Sequence, residues 1–224
     1  MRIAGLQKSS TVDFPGCFSA VIFAAGCNYR CFYCHNRRLL SDPPLIDERE
    51  AAGFLEKRAG LIDGIVFSGG EPTLQKDIAW WLNRAKKLGY KTKLDTNGSR
   101  PEALKSIVGA GLADYVAMDF KAPLSMYPNI CFAGADGVME SMGYLSGCGV
   151  SYELRTTVVP MLTEKSLFEM AESIPKNAKW ALQLYREQEG DRAYLGSLEP
   201  YLPSEIQALA DRLKTRHDNM IARV

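Results

Sequence analysis

The stretch "GCNYRCFYCHN", residues 26–36, sets Cys27, Cys31 and Cys34 within eight residues and places no fourth cysteine beside them. Thiolates so grouped suit soft metals or redox chemistry. A structural zinc closes its tetrahedral shell with four protein ligands. His35 is at hand, but it directly follows Cys34, an awkward position for chelating the same ion. A [4Fe–4S] cube offers separate iron corners, usually to four thiolates, and three would leave one iron open to a small-molecule ligand. Zinc and redox thiols remain alternatives at this level.

These residues need a scaffold, and the rest of the chain describes one. Apolar, β-branched runs at 18–27, 63–69, 90–98, 114–122, 150–159 and 178–187 read as strands. Between them 47–60, 77–89, 100–111 and 164–174 show helical spacing, 134–147 shows it more weakly, and 203–217 closes the series with Ser204 as its expected cap. Alternation of this kind predicts an α/β fold with a parallel sheet and right-handed crossovers. Six units in 224 residues fit a partial (β/α)6 barrel better than a full eight-unit barrel of roughly 250 residues. No linker divides the chain, so 1–224 is expected to be a single domain.

In such folds the working face lies at the C-terminal ends of the strands, and there the chemistry collects. Cys27 follows the first strand and "SGGEP" (68–72) the second. Gly69 and Gly70 permit close backbone approach to a ligand. A bulky residue at Gly70 is therefore expected to block the ligand and leave the cysteine loop intact. Glu71 can accept a hydrogen bond, and Pro72 fixes the exit. "LDTNG" brings Asp95, Thr96 and Asn97 to the end of the third strand, and "MDFKAP" brings Asp119 and Lys121 to the fourth. Lys121 suits a carboxylate, and Asp95 with Asp119 could share a cation. Arg155 and Gln183, on the fifth and sixth strands, read equally well as binding or as core-satisfying groups.

Composition narrows the function classes. With 27 basic and 26 acidic residues the formal net charge is +1, so no global field favours nucleic acid. The opening "MRIAGLQKSSTVDFPG" lacks a signal-peptide core, and no run is long enough to span a bilayer. A cytoplasmic protein without a membrane partner is expected, and six cysteines there do not make a disulfide framework. Cys17, Cys131 and Cys148 read as packing positions, Trp80 and Trp81 as core plus an exposed edge, and His217 as a solvated residue at a helix C-terminus.

The cysteine loop, its aromatic Tyr33 and the strand ending in "GGEP" resemble the radical S-adenosylmethionine (radical SAM) superfamily. That resemblance implies a three-cysteine [4Fe–4S] cluster whose open iron binds S-adenosylmethionine, reductive cleavage of the cofactor, and a 5′-deoxyadenosyl radical. It implies Cys27, Cys31 and Cys34 as metal ligands. It also implies Tyr33, His35 and Asn36 beside the cofactor and Gly69, Gly70, Glu71, Asp119 and Lys121 as cofactor contacts, and the strand-end positions add Asp95, Asn97 and Arg155 to the expected cofactor-binding set. No catalytic residue beyond the cluster follows from it. The lead-in "GLQKSSTVDFPG", the "CHN", and "KLDTNGSRPEAL", "GLADYVAMDFKAPL" and "YELRTTVVP" further on are similar to activating proteins of anaerobic ribonucleoside-triphosphate reductases. The partner implied is a glycyl-radical enzyme, with a flavodoxin or ferredoxin as electron donor. Residues 37–47 hold no cysteine, unlike activases with a ferredoxin-like insert. Arg37 and Arg38 would line the entrance and face an acidic loop. The alternatives are a small-molecule radical enzyme similar to 7-carboxy-7-deazaguanine synthase, or a non-catalytic iron–sulfur or zinc module.

Overall fold

The computed structural model describes residues 1–224. Eight strands form one sheet in simple sequential order: β1 (Ile3–Ser10), β2 (Ser19–Ala24), β3 (Gly64–Gly69), β4 (Lys91–Thr96), β5 (Tyr115–Asp119), β6 (Ser151–Val158), β7 (Lys179–Leu184) and β8 (Met220–Arg223). β2 to β8 run parallel, and β1 pairs antiparallel with β2. Helices α1 (Glu48–Arg58), α2 (Ile78–Lys87), α3 (Pro101–Gly109), α4 (Tyr127–Ile130), α5 (Val138–Gly147), α6 (Glu164–Ser173), α7 (Arg192–Leu195) and α8 (Pro203–Leu213) make the crossovers. β1 and β8 do not pair, so the barrel stays open.

The six expected parallel strands are present, and β1 and β8 extend the sheet at both edges. Alternation along the strands divides the molecule into two chemistries. Ala20, Ile22, Ile65, Phe67, Leu94, Val116, Met118, Leu154, Trp180 and Leu182 are buried and belong to the main core that the helices cover. The intervening positions point to the inner face of the curved sheet. Low in that interior Phe14, Cys17, Val21 and Val66 form a small separate core. Higher up the inner positions turn polar: Ser68, Asp95, Asp119, Arg155 and Gln183.

Local signals explain the helix starts. Asp47 accepts from Arg49 N ahead of α1, and Thr163 from Ser166 N ahead of α6. Ser204 does not cap α8. Pro203 occupies the first turn, where a missing N–H costs nothing, and Glu205 accepts from Leu202 N at 2.6 Å instead. His217 is also not solvated. It is fully buried, its Nε2 pairs with the Ala178 carbonyl at 2.7 Å, and Trp180 meets it edge-on. The chain continues from α8 into β8, which covers the helix end. No helix is long and apolar enough to cross a membrane.

Candidate functional site

Beyond β2 the chain turns at Gly26, whose φ of +83° favours glycine, and enters the cysteine loop. Cys27, Cys31 and Cys34 line the rim of a cavity of about 380 Å³ at the C-terminal ends of the strands. Tyr29 N donates to the Cys27 sulfur at 3.4 Å, and Asn97 Nδ2 approaches it at 3.7 Å. Asn97 also bonds Asn28, which bonds Ser99, so the loop after β4 braces the cysteine loop. Asn36 Nδ2 donates to the Gly69 carbonyl at 3.0 Å and braces its far end.

The glycine pair has a tighter reason than the one read from sequence. A Cβ on Gly70 would lie 1.9 Å from the Gly26 carbonyl oxygen, and one on Gly69 2.5 Å from Ala24 N. Gly70 N also bonds Ala24 O, and Glu71 N bonds Gly26 O, both at 2.9 Å. The close neighbour is the chain's own cysteine loop. The expectation that a bulky Gly70 would leave that loop intact is therefore corrected. Glu71 is fully buried and stands behind the cavity wall. Its carboxylate accepts from Thr73 N and Oγ1, from Thr96 Oγ1 and from Asn97 N. Burial pushes its carboxyl up despite those bonds. It holds Asn97 in place rather than facing a ligand.

Beneath the rim five charged side chains form the floor. Arg155 Nε donates to Asp119 at 3.0 Å and its Nη1 to Asp95 at 3.2 Å. Lys121 donates to Asp119 at 2.9 Å, Lys93 pairs with Asp95, and Ser68 Oγ donates to Asp95 at 3.0 Å. The cation shared by Asp95 and Asp119 is thus the Arg155 guanidinium. Burial opposes charge on Asp119, but Lys121 and Arg155 outweigh it and hold the carboxyl at about 2. Lys121 also lies 5.9 Å from the Tyr33 ring centre, within cation–π range, and keeps two further N–H donors for the cavity.

The structure brings Tyr33, His35, Asn36, Gly69, Gly70, Asp95, Asn97, Asp119, Lys121 and Arg155 to the same cavity wall as the cysteines, and leaves Glu71 behind it. Arg37 does not face solvent as a free charge. It donates to the carbonyls of Phe32 and Glu189 and to the buried Asp191 at 2.7 Å. Asp191 also accepts from Tyr185 OH and Gln188 N, and Gln188 pairs with His35 Nδ1. Arg38 is exposed and makes no ion pair. Sequence reasoning missed this 185–191 brace, along with Ser68 and Asp13 of the cavity lining and Lys93 as the partner of Asp95. Only the buried position of Asp191 marks it out, and burial is invisible in a polar loop.

The donor set fits an iron–sulfur cluster. No three His, Cys, Asp or Glu side chains converge as ligands of one ion would, while three thiols share one cavity wall. Burial pushes the Cys27 thiol up to about 12 and the Cys34 thiol up as well. Such sulfurs become thiolates when a cationic metal centre displaces their protons.

The profile of the Radical SAM superfamily matches residues 21–174. A protein of Methanocaldococcus jannaschii named "Putative glycyl-radical enzyme activating enzyme" is 31% identical over 229 residues, 99% of this chain and 95% of its own length. Pyruvate formate-lyase 1-activating enzyme of Escherichia coli is 30% identical over 171 residues, 71% of this chain and 68% of its own. Streptococcus suis SuiB bound to its precursor peptide SuiA superposes with a TM-score of 0.72 at 15% identity. That match covers 91% of this chain and 48% of SuiB.

Proposed function

Because this chain belongs to the radical SAM superfamily, we propose that it activates a glycyl-radical enzyme, specifically an anaerobic ribonucleoside-triphosphate reductase. Its cofactors, a [4Fe–4S] cluster and S-adenosylmethionine, supply hydrogen-atom abstraction after one-electron reduction. In this reading residues 1–224 form one such domain in the cytoplasm, and a flavodoxin or ferredoxin supplies the electron.

Each residue then has a task. Cys27, Cys31 and Cys34 hold three irons and leave a corner for the cofactor's amino and carboxylate groups. Lys121, with N–H donors to spare, meets a carboxylate. Tyr33, His35, Asn36, Gly69, Gly70 and Asn97 form the wall around the cysteines. Asp95, Asp119 and Arg155 keep the floor polar and rigid. Glu71 serves the site through Asn97.

One observation supports a protein substrate above the rest. β1 and β8 leave the sheet open, and the cavity lining reaches Asp13, just past β1, and Gln183, which lies opposite Arg223 of β8. A glycine on a partner's loop has a side to enter by. The 31% identity to the Methanocaldococcus jannaschii protein along 99% of the chain supports the same reading. The test is to mix the reduced, cluster-loaded protein and S-adenosylmethionine with an anaerobic ribonucleotide reductase. A glycyl radical should appear by electron paramagnetic resonance. Consumption of a carboxylated pterin, with no glycyl radical on any candidate enzyme, overturns the assignment in favour of a small-molecule substrate.

A further inference from the structure

The segment after β7 closes on the cysteine loop at three places. The Tyr194 ring in α7 lies 5.4 Å from the Phe32 ring, Gln188 pairs with His35 Nδ1, and Arg37 reaches Asp191. The ties thus fall on residues 32, 35 and 37, on both sides of Cys34. The third goes deepest, because Asp191 is fully buried. One of its carboxylate oxygens accepts from Arg37 Nη2 at 2.7 Å, and the other accepts from Tyr185 OH and from Gln188 N at 3.1 Å. Gly190, at φ +88°, turns the chain just before Asp191, and the Glu189 carbonyl accepts from Arg37 Nη1 at 3.0 Å. The last acceptor of that guanidinium lies inside the cysteine loop. Cys34 N bonds the Cys31 carbonyl at 3.1 Å, so residues 31–34 form a turn, and the Phe32 carbonyl belongs to its central peptide. The orientation of that peptide is what separates one turn type from another. Arg37 donates to it through the same Nη2 that meets Asp191.

We infer that Asp191 is a positioning residue for the cluster ligands: by holding Arg37 on the Phe32 carbonyl, it sets the turn that carries Cys31, Tyr33 and Cys34 before metal arrives. Neither Asp191 nor Arg37 lines the cavity, so both act from behind its wall. An arginine side chain loses much rotamer freedom when it is fixed, and a buried carboxylate is what fixes this one. The planar guanidinium then passes the place of Asp191 on to the turn, because its N–H groups leave in set directions. Groups that orient metal ligands from behind count for affinity nearly as the ligands do. The other end of the loop has a separate support, since Asn97 approaches Cys27 and bonds Asn28. Loss of Asp191 is therefore felt at Cys31 and Cys34 and spares Cys27.

The role rests on Cys31 and Cys34 being cluster ligands, and the experiment separates the two. Amide hydrogen exchange is measured on the metal-free parent, Asp191→Asn, Arg37→Gln and the double variant. Exchange over residues 31–37 should be about tenfold faster in Asp191→Asn, as a local opening, and unchanged over β4. Because both side chains act on one turn, the double variant should exchange no faster there than Asp191→Asn alone. After cluster loading, Asp191→Asn should release iron to a chelator about tenfold faster than the parent, as when a ligand loses its supporting contact. The electron paramagnetic resonance line shape of the reduced cluster, which lower global stability would not move, should change alike in Asp191→Asn and Arg37→Gln. Parent-like exchange over residues 31–37 in Asp191→Asn overturns the inference, as do effects of the two substitutions that multiply in the double variant. Faster exchange with the iron release and line shape of the parent overturns it too. Should Asp191→Asn fail to fold, Arg37→Gln decides, and parent-like exchange over residues 31–37 in that variant overturns the inference. Full iron in Cys31→Ala and Cys34→Ala would overturn the ligand assignment itself, whatever the exchange shows.

Discussion

The cysteine rim and the charged floor lie in one cavity and are built on opposite plans. On the floor each charge already has a partner: Asp95 meets Lys93 and Arg155, and Asp119 meets Arg155 and Lys121. On the rim Cys27 and Cys34 have no such counter-charge, and burial disfavours their ionised form. The charges of the floor are paired without a ligand, and the rim acquires its charge balance from one. A buried ion network holds a shape, whereas thiols without counter-charges at a cavity mouth wait for a metal.

That contrast can be broken at the rim first. Cys27→Ala, Cys31→Ala or Cys34→Ala should each take reconstituted protein from about four irons per chain, the cube's stoichiometry, to almost none, whereas Cys148→Ala should retain them. Equal iron in any of the three rim variants would end the distinction. Gly70→Val should behave as a rim mutation rather than a cofactor-pocket one. The Cβ has no room beside the Gly26 carbonyl, so iron binding should fall along with stability, by about 1–3 kcal/mol for overpacking. Retention of the full cluster with cofactor cleavage alone lost would restore the simpler view of the glycine pair.

On the floor, Arg155→Leu leaves two carboxylates short of their shared cation. A loss of about 3–5 kcal/mol in denaturant unfolding is expected, with the cysteines still able to take up iron. Acid probes the same network more gently. Asp119 is held at about 2 against an ordinary 3.8, so its contribution is fully present above pH 4 and lost as pH falls towards 2. The amount is about 2 kcal/mol, and Asp119→Asn should flatten that part of the unfolding profile. If the parent's stability is flat from about pH 4 to 2, the floor is not held together by these charges. The smallest effect belongs to Arg38→Glu. It should leave stability within about 0.5 kcal/mol, as for exposed substitutions generally, and only weaken stimulation of cofactor cleavage by a partner protein.

The same contrast explains what the sequence could disclose. The rim is contiguous, so the grouping of its three cysteines was legible from spacing, and the six parallel strands were legible from runs buried on both faces. The floor comes from β4, β5 and β6, and no spacing rule pairs Arg155 with Asp95 across 60 residues. β1 was missed because "IAGLQKSS" is an edge strand with exposed Gln7, Lys8 and Ser9, and β8 because four residues carry no period. His217 was misjudged because a helix C-terminus looks solvated until the next strand covers it. Glu71 looked like a ligand contact because sequence shows that a carboxylate is present, not which way it faces.

The central claim is that the rim, once metallated, binds S-adenosylmethionine and cleaves it. Cluster-loaded protein reduced with dithionite and given S-adenosylmethionine is assayed for methionine and 5′-deoxyadenosine. Both products in equal amounts, absent in Cys31→Ala and formed faster when an anaerobic ribonucleotide reductase is added, is the predicted result. A fully metallated, fully reduced protein that forms no 5′-deoxyadenosine with or without that partner contradicts it.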